Sequence, residues 1–530
     1  MAERIYLYDS TLRDGSQAQG IDFTVADKLA IAQALDDFGI DYIEGGWPGA
    51  NPTDDAFFAQ VAKTRFARVS AFGMTRRAGR SASNDPGLQD ILNAATPSVC
   101  LVGKSWDWQV ETALKVDLSE NLTMIGDSLS HMIAQGREAH FDAEHFFDGY
   151  KANPAYALEA LKAAHAAGAE WIILCDTNGG SLPSEVYRIV SEVKNALPDA
   201  RLGIHCHNDT EQAVANSLAA VEAGVRQIQG TINGIGERCG NANLIALIPT
   251  LMLKMGYETG VPMERLKEIG SLSRLIDDRL NRVPNRHAAY VGKSAFAHKG
   301  GLHVSAMARD SRSYEHIDPA LVGNTRLILV SDKAGRANVL NRLEQMGLEV
   351  AADDPRINEL VRIVKDREAM GYAYEDASAS FELLARQLLG QLPRYYQLLS
   401  YRALNECRVE VSGTHATMAE ATVKLSVAGE TVMTVAEGNG PVNALDEALR
   451  KALTPHYPEL KAMHLSDYKV RILTPSEATA ALTRVVIESR DDDGRAWHTL
   501  GVSPNVIDAS NDALFDAVTY FLLRQQVVAR

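Results

Sequence analysis

Eight short apolar segments alternating with helical ones between residues 4 and 255 predict an α/β fold, a (β/α)8 TIM barrel over residues 1–260. Two further observations extend this reading. Residues 261–400 keep helical periodicity but lose the strand pattern, which predicts a helical linker carrying small subdomains. Residues 401–530 return to alternating strands in two similar halves, which predicts a C-terminal α+β domain with an internal repeat.

The barrel strands are expected at residues 5–8, 42–44, 68–72, 98–102, 138–141, 171–175, 202–206 and 226–229. Helix-period segments such as 24–38, 154–167, 184–197 and 210–223 lie between them. An open doubly wound sheet is the alternative, but no glycine-rich dinucleotide loop follows the first strand. In the linker, residues 263–282, 332–345 and 357–365 read as helices joined by loops rather than by further strands. In the C-terminal part, residues 422–435 run into Glu437-Gly438-Asn439-Gly440-Pro441-Val442 and a helix from Ala444. Residues 484–499 run in the same way into Leu500-Gly501-Val502-Ser503-Pro504-Asn505 and a helix from Ala509. Asp491-Asp492-Asp493-Gly494 reads as a solvated hairpin tip.

Bulk properties bound the function. With 530 residues, 46% hydrophobic and 23% charged, the chain is long enough for a large core. Its formal net charge of −15 argues against nucleic-acid or anionic-membrane binding. The five cysteines show no CxxC spacing and read as free thiols of a reducing cytoplasm. The first residues run straight into a strand without a signal peptide, and no apolar run reaches the roughly 18 residues of a membrane span.

In a barrel, functional groups belong at the C-terminal ends of the strands. The seventh strand ends in His205-Cys206-His207-Asn208-Asp209. Residues two apart in a strand share a face, so the two imidazoles point together and Cys206 points away. Such a pair is either two buried structural histidines or two metal ligands. The same rim carries Asp14 after the first strand, Glu44 at the second, Glu144 after the fifth, Thr177 after the sixth and Asn241 after the eighth. Singly, Asp14 or Asn241 reads as a turn or cap residue. Jointly with the imidazoles they make a carboxylate, two nitrogens and an amide oxygen around one cation. Such mixed ligation suits Mg²⁺, Mn²⁺ or Zn²⁺ and leaves positions for a bidentate substrate.

Three longer motifs carry a resemblance: Thr11-Leu12-Arg13-Asp14-Gly15-Ser16-Gln17, His205-Cys206-His207-Asn208-Asp209, and Asn233-Gly-Ile-Gly-Glu-Arg-Cys-Gly-Asn241. With them the chain resembles the isopropylmalate, homocitrate and citramalate synthase family. The likeness continues through Phe296-Ala-His-Lys-Gly-Gly-Leu-His303 to Gly501-Val-Ser-Pro-Asn-Val-Ile-Asp508 and so covers nearly the whole chain. The run from Ile43 to Pro52 is similar to the citramalate form of its segment.

The resemblance implies a metal-dependent acyltransferase that condenses acetyl-CoA with a 2-oxo acid. For the citramalate branch the oxo acid is pyruvate and the products are (R)-citramalate and CoA, a step of isoleucine biosynthesis. A divalent ion on Asp14, His205, His207 and Asn241 would chelate the oxo acid. Arg13 would hold the developing alkoxide, Glu44 would support Arg13, and Thr177 would donate to the substrate carboxylate. Glu144 and His303 would serve deprotonation of the acetyl methyl, with Tyr314 orienting the water or the base. The resemblance further implies a homodimer in which His303 reaches the partner's site, and a C-terminal domain that binds isoleucine as feedback inhibitor. A salt bridge supporting the barrel rim is the alternative for Arg13; seen without the family, His303 reads as a structural histidine in a loop. Arg76, Arg77 and Arg80 are either a site for the CoA phosphates or a solvated helix face. Three other functions stay open at this stage: an isopropylmalate synthase using 2-oxoisovalerate, a hydroxyacyl-CoA lyase, and a non-catalytic amino-acid sensor.

Overall fold

The computed structural model describes residues 3–61, 64–307, 309–328, 335–351, 353–375, 377–409 and 415–530. The chain divides into two compact units, residues 1–296 with 317–325, and residues 297–316 with 326–530.

The first unit is a closed barrel of eight parallel strands in sequence order: β1 (Tyr6–Asp9), β2 (Tyr42–Gly46), β3 (Arg68–Met74), β4 (Ser98–Lys104), β5 (Glu138–Glu144), β6 (Trp171–Asp176), β7 (Leu202–Cys206) and β8 (Gln227–Gly230). Each expected strand is present, and most run one or two residues further toward the barrel mouth. Closure comes from β1 pairing with β8, Tyr6 opposite Gln227 through Asp9 opposite Gly230. Strand alternation sorts the side chains. Leu7, Ile43, Val99, Leu101, Phe141, Ile172, Leu174, Ile204 and Ile228 join the main core that the surrounding helices cover. The alternate positions face inward, where Tyr8, Tyr42, Phe72, Cys100, Trp171 and Ile173 cluster. Glu44, Asp142, His205 and Gln229, also at alternate positions, are buried as well. The interior is thus aromatic and polar where many barrels hold branched aliphatics. The first helix, Val25–Phe38, begins one residue after the expected start because Thr24 is its cap, in a capping box with Asp27.

Residues 263–282, expected as one helix, form a 3-10 turn (Met263–Glu268) followed by an α-helix (Ile269–Arg279). The first residues of the expected 332–345 helix lie outside the described residues; its remainder is Arg336–Gln345. Helix Pro355–Ala369 is present, and Gly301–Met307 and Ser378–Leu389 are helices that the periodicity did not reveal. A two-residue parallel pairing, Ala297–His298 with Leu327–Ile328, lies where only loops were expected.

The repeat is plain in the second unit. Gln397–Val409, His415–Val427 and Glu430–Gly438 form an antiparallel meander followed by helix Pro441–Leu453. Met463–Ile472, Thr483–Asp491 and Ala496–Ser503 do the same before helix Val506–Arg524. Ala419, Ala421, Val423, Leu425 and Val427 alternate into a core with Leu445 and Leu449. Met418, Met433 and Val435, at the intervening positions, are exposed, as is Leu404. The turn after Asp491 is the expected hairpin tip, with Gly494 at φ +77°.

Candidate functional site

The end of β7 and the loop after β1 bring three ligand-type groups together. His205 Nε2 lies 3.1 Å and His207 Nε2 3.7 Å from Asp14 Oδ2, and the two ring nitrogens are 3.4 Å apart. All three residues are buried. Cys206 points the other way, into the core between barrel and helices.

Asn241 is set beside His207 by backbone. The two residues form an isolated antiparallel bridge, Asn208 N–H donates to Gly240 O at 2.9 Å, and Ala242 N–H to Cys206 O at 2.9 Å. Two glycines permit this loop. Gly240 sits at φ +93°, and a Cβ there would lie 2.0 Å from the Gly234 carbonyl oxygen; at Gly236 it would lie 2.1 Å from Asn241 Nδ2.

The donor set fits a divalent cation. Among the described residues, Asn241 Oδ1 is buried without a hydrogen-bond partner, as is His207 Nδ1. A buried acceptor left unpaired costs about 1–3 kcal/mol, which ligation of an ion would offset. The electrostatics agree. Burial opposes the charge on Asp14, but the Arg13 guanidinium and the His205 imidazole override it and hold the carboxyl well below the usual range. Burial likewise opposes protonation of His205, yet the Asp14 carboxylate pushes its pKa up. Burial and the neighbouring His205 pull His207 down to about 4.

Arg13 projects beside this cluster. Its Nε donates to Glu44 Oε2 at 2.7 Å, its Nη1 lies 3.8 Å from Asp14 Oδ2, and its guanidinium stacks 3.9 Å from the Phe72 ring centroid. Glu44 also accepts from the Tyr8 hydroxyl at 2.9 Å and from Ser10, so the carboxylate that pins Arg13 is itself pinned. Glu144 is ion-paired with Lys104. Thr177 Oγ1 accepts from His145 N–H at 2.8 Å, which leaves the hydroxyl proton to donate. Lys104 lines a cavity of about 470 Å³ together with Trp47, Met74, Arg76 and Arg77.

His303 and Tyr314 belong to the second unit. Their rings stack with centroids 4.1 Å apart. Arg76 departs from the phosphate-binding expectation: it is buried and donates to Asp127 at 3.0 Å and Glu120 at 2.9 Å. Only Arg77 and Arg80 of that cluster are exposed.

Two residues escaped the sequence reading. His205 Nδ1 lies 2.8 Å from Gln229 Oε1, and Gln229 Nε2 lies 3.1 Å from Asp142 Oδ1. The available signal was period-two polarity, His140-Asp142-Glu144 in β5 and Gln227-Gln229 in β8, inside strands otherwise apolar.

The HMGL-like family model matches residues 4–273, the homocitrate synthase post-HMGL domain-like model residues 290–370, and the LeuA allosteric (dimerisation) domain model residues 376–522. The (R)-citramalate synthase of Aquifex aeolicus is 51% identical over 528 residues, 99% of each chain. That of Geobacter sulfurreducens is 50% identical over 99% of this chain and 98% of its own. The chain belongs to the citramalate synthase family. It is an acyltransferase with a TIM barrel and a domain of the LeuA allosteric (dimerisation) type. A probable 2-isopropylmalate synthase of Methanopyrus kandleri stands further off, at 32% over 99% of this chain and 100% of its own. Among the described residues, no helix is long and apolar enough to cross a membrane.

Proposed function

We propose that this chain condenses acetyl-CoA with pyruvate to give (R)-citramalate and CoA, using a divalent ion held by Asp14, His205, His207 and Asn241. The observation that carries the reading is the meeting of Asp14, His205 and His207 at the mouth of the barrel in a chain matched end to end by citramalate synthases.

The bound ion would supply Lewis acidity to the keto group of the oxo acid. The protein does the rest. Thr177 offers its hydroxyl proton to the substrate carboxylate. Arg13, fixed by Glu44 and by the Phe72 ring, presents its remaining N–H groups to the alkoxide that develops at the former keto oxygen. Glu144, held by Lys104, takes the proton from the acetyl methyl so that the new carbon–carbon bond can form. Across the homodimer, His303 reaches the partner's site to assist that proton transfer, and Tyr314, stacked on it, orients the water or the base for the hydrolysis that cleaves the thioester and releases CoA. The cavity beside Lys104 offers room for part of the acyl-CoA, with Arg77 at its edge.

We assign catalysis to residues 1–260, coupling to residues 261–400 and regulation to residues 401–530. The chain acts as a cytoplasmic homodimer, and isoleucine is the feedback inhibitor. The exposed apolar residues Leu404, Met418, Met433 and Val435 support self-association through the repeat domain. The two-nitrogen, two-oxygen ligand set suits Mg²⁺, Mn²⁺ or Zn²⁺ alike. CoA release measured with pyruvate, 2-oxobutanoate and 2-oxoisovalerate tests the substrate: pyruvate should give the highest kcat/KM, and preference for the branched acid would refute the assignment. Activity should also vanish in chelator and return with added metal.

A further inference from the structure

The two imidazoles of the candidate metal centre are held differently. His207 Nδ1 is buried with no hydrogen-bond partner among the described residues. His205 Nδ1 instead faces Gln229 Oε1 at 2.8 Å, and the other end of that amide, Nε2, faces Asp142 Oδ1 at 3.1 Å. Gln229 is wholly buried, Asp142 is 3% exposed, and both come from barrel strands, β8 and β5. The direction of this chain is fixed by chemistry. Turning the amide over would set a carbonyl oxygen against a carboxylate, so the NH2 end faces Asp142 and the oxygen faces the imidazole. A carbonyl oxygen only accepts, so His205 carries its proton on Nδ1. In the neutral imidazole, the form that ligates a cation, the Nε2 lone pair is then left toward Asp14 and His207.

We propose that Asp142 and Gln229 form a relay that fixes the tautomer and ring orientation of His205 and so preorganises its Nε2 for a divalent cation. The proposal rests on the metal-centre reading above and assigns both residues a positioning role. Hydrogen-bond partners of ligating histidines commonly contribute about 10–100-fold in metal affinity. Asp142 acts at one remove, through the amide it orients, and an acceptor oxygen is all the relay needs at that position.

Mn²⁺ titration of the chelator-stripped full-length protein by calorimetry tests this. Gln229→Met, close in volume but unable to accept, should weaken Mn²⁺ binding about 10–100-fold. Asp142→Ala should produce a loss of similar size. Asp142→Asn, which keeps an acceptor oxygen, should stay within about threefold of wild type. The Gln229→Met/Asp142→Ala double variant should lose little more than either single one, because both break the same chain. Wild type that binds no Mn²⁺ would sink the metal centre and the relay together. Wild type that binds while folded Gln229→Met binds equally well would sink the relay alone, as would additive losses in the double variant. Should Gln229→Met fail to fold, equal affinities in Asp142→Ala and Asp142→Asn would overturn the relay by themselves.

Discussion

The barrel and the C-terminal repeat bury opposite kinds of side chain. Inside the barrel, Tyr8, Glu44, Cys100, Asp142, His205 and Gln229 are all sealed from solvent. The repeat buries Ala421, Val423, Leu425, Leu445 and Leu449, and leaves Met418, Met433 and Val435 outside. An apolar filling would stabilise the barrel more, because buried ionisable groups lose hydration that their partners only partly restore. The difference fits the proposed division of work, with chemistry in the interior of one unit and self-association on the surface of the other.

The largest effect expected from this contrast is on turnover. Asp14→Asn should lower kcat/KM on the order of 1,000-fold. The metal-free protein should also melt earlier, because the fold favours the ionised Asp14 through Arg13 and His205, although Arg13 keeps its pairing with Glu44. A variant that melts early yet retains activity would make Asp14 a structural group instead.

A smaller effect concerns pH. Burial pushes Asp9 up to about 7, against the hydrogen bonds it accepts from Thr11. The folded chain therefore holds a proton that an unfolded aspartate releases near pH 4, so stability falls as pH rises between these values and levels off above 7. The slope should approach about 1.4 kcal/mol per pH unit. Asp9→Asn keeps an acceptor for the Thr11 N–H, sets an N–H in place of the oxygen that accepts from the Thr11 hydroxyl, and should flatten that slope in urea melts at pH 5, 6, 7 and 8. An unchanged slope would remove Asp9 as its source.

The smallest effect falls on the repeat. Met433→Lys puts a charge on an exposed apolar position and should raise the self-association Kd about tenfold, as read by sedimentation. Unchanged association would mean that these side chains do not carry the surface.

Much of the architecture was legible because strand and helix periods alternate at regular spacing through the barrel. The joint approach of Asp14, His205 and His207 was legible too, since strand geometry points alternate residues together and barrel topology gathers strand ends. Other features depended on partners far along the chain. Arg76 read as free because Glu120 and Asp127, which neutralise it, lie on a later helix, Leu118–Ala134, seven residues apart on one of its faces. Gln229 passed as an ordinary strand residue because Asp142, its counterpart, is 87 positions away. The helix Ser378–Leu389 escaped because Ser, Ala and Arg dilute its apolar stripe, although it buries Phe381, Leu384 and Leu389.

The seam between β1 and β8 gives this layout a temporal consequence. Ile232 N–H donates to Thr11 Oγ1 across 221 positions, and the groups proposed to grip the ion straddle that same join. During synthesis Asp14 emerges long before Asn241 exists, so no nascent chain can assemble the full grip until its last barrel strand has docked. Ion uptake would then act as a latch on ring closure, and its kinetics in a refolding experiment would time the moment the circle shuts.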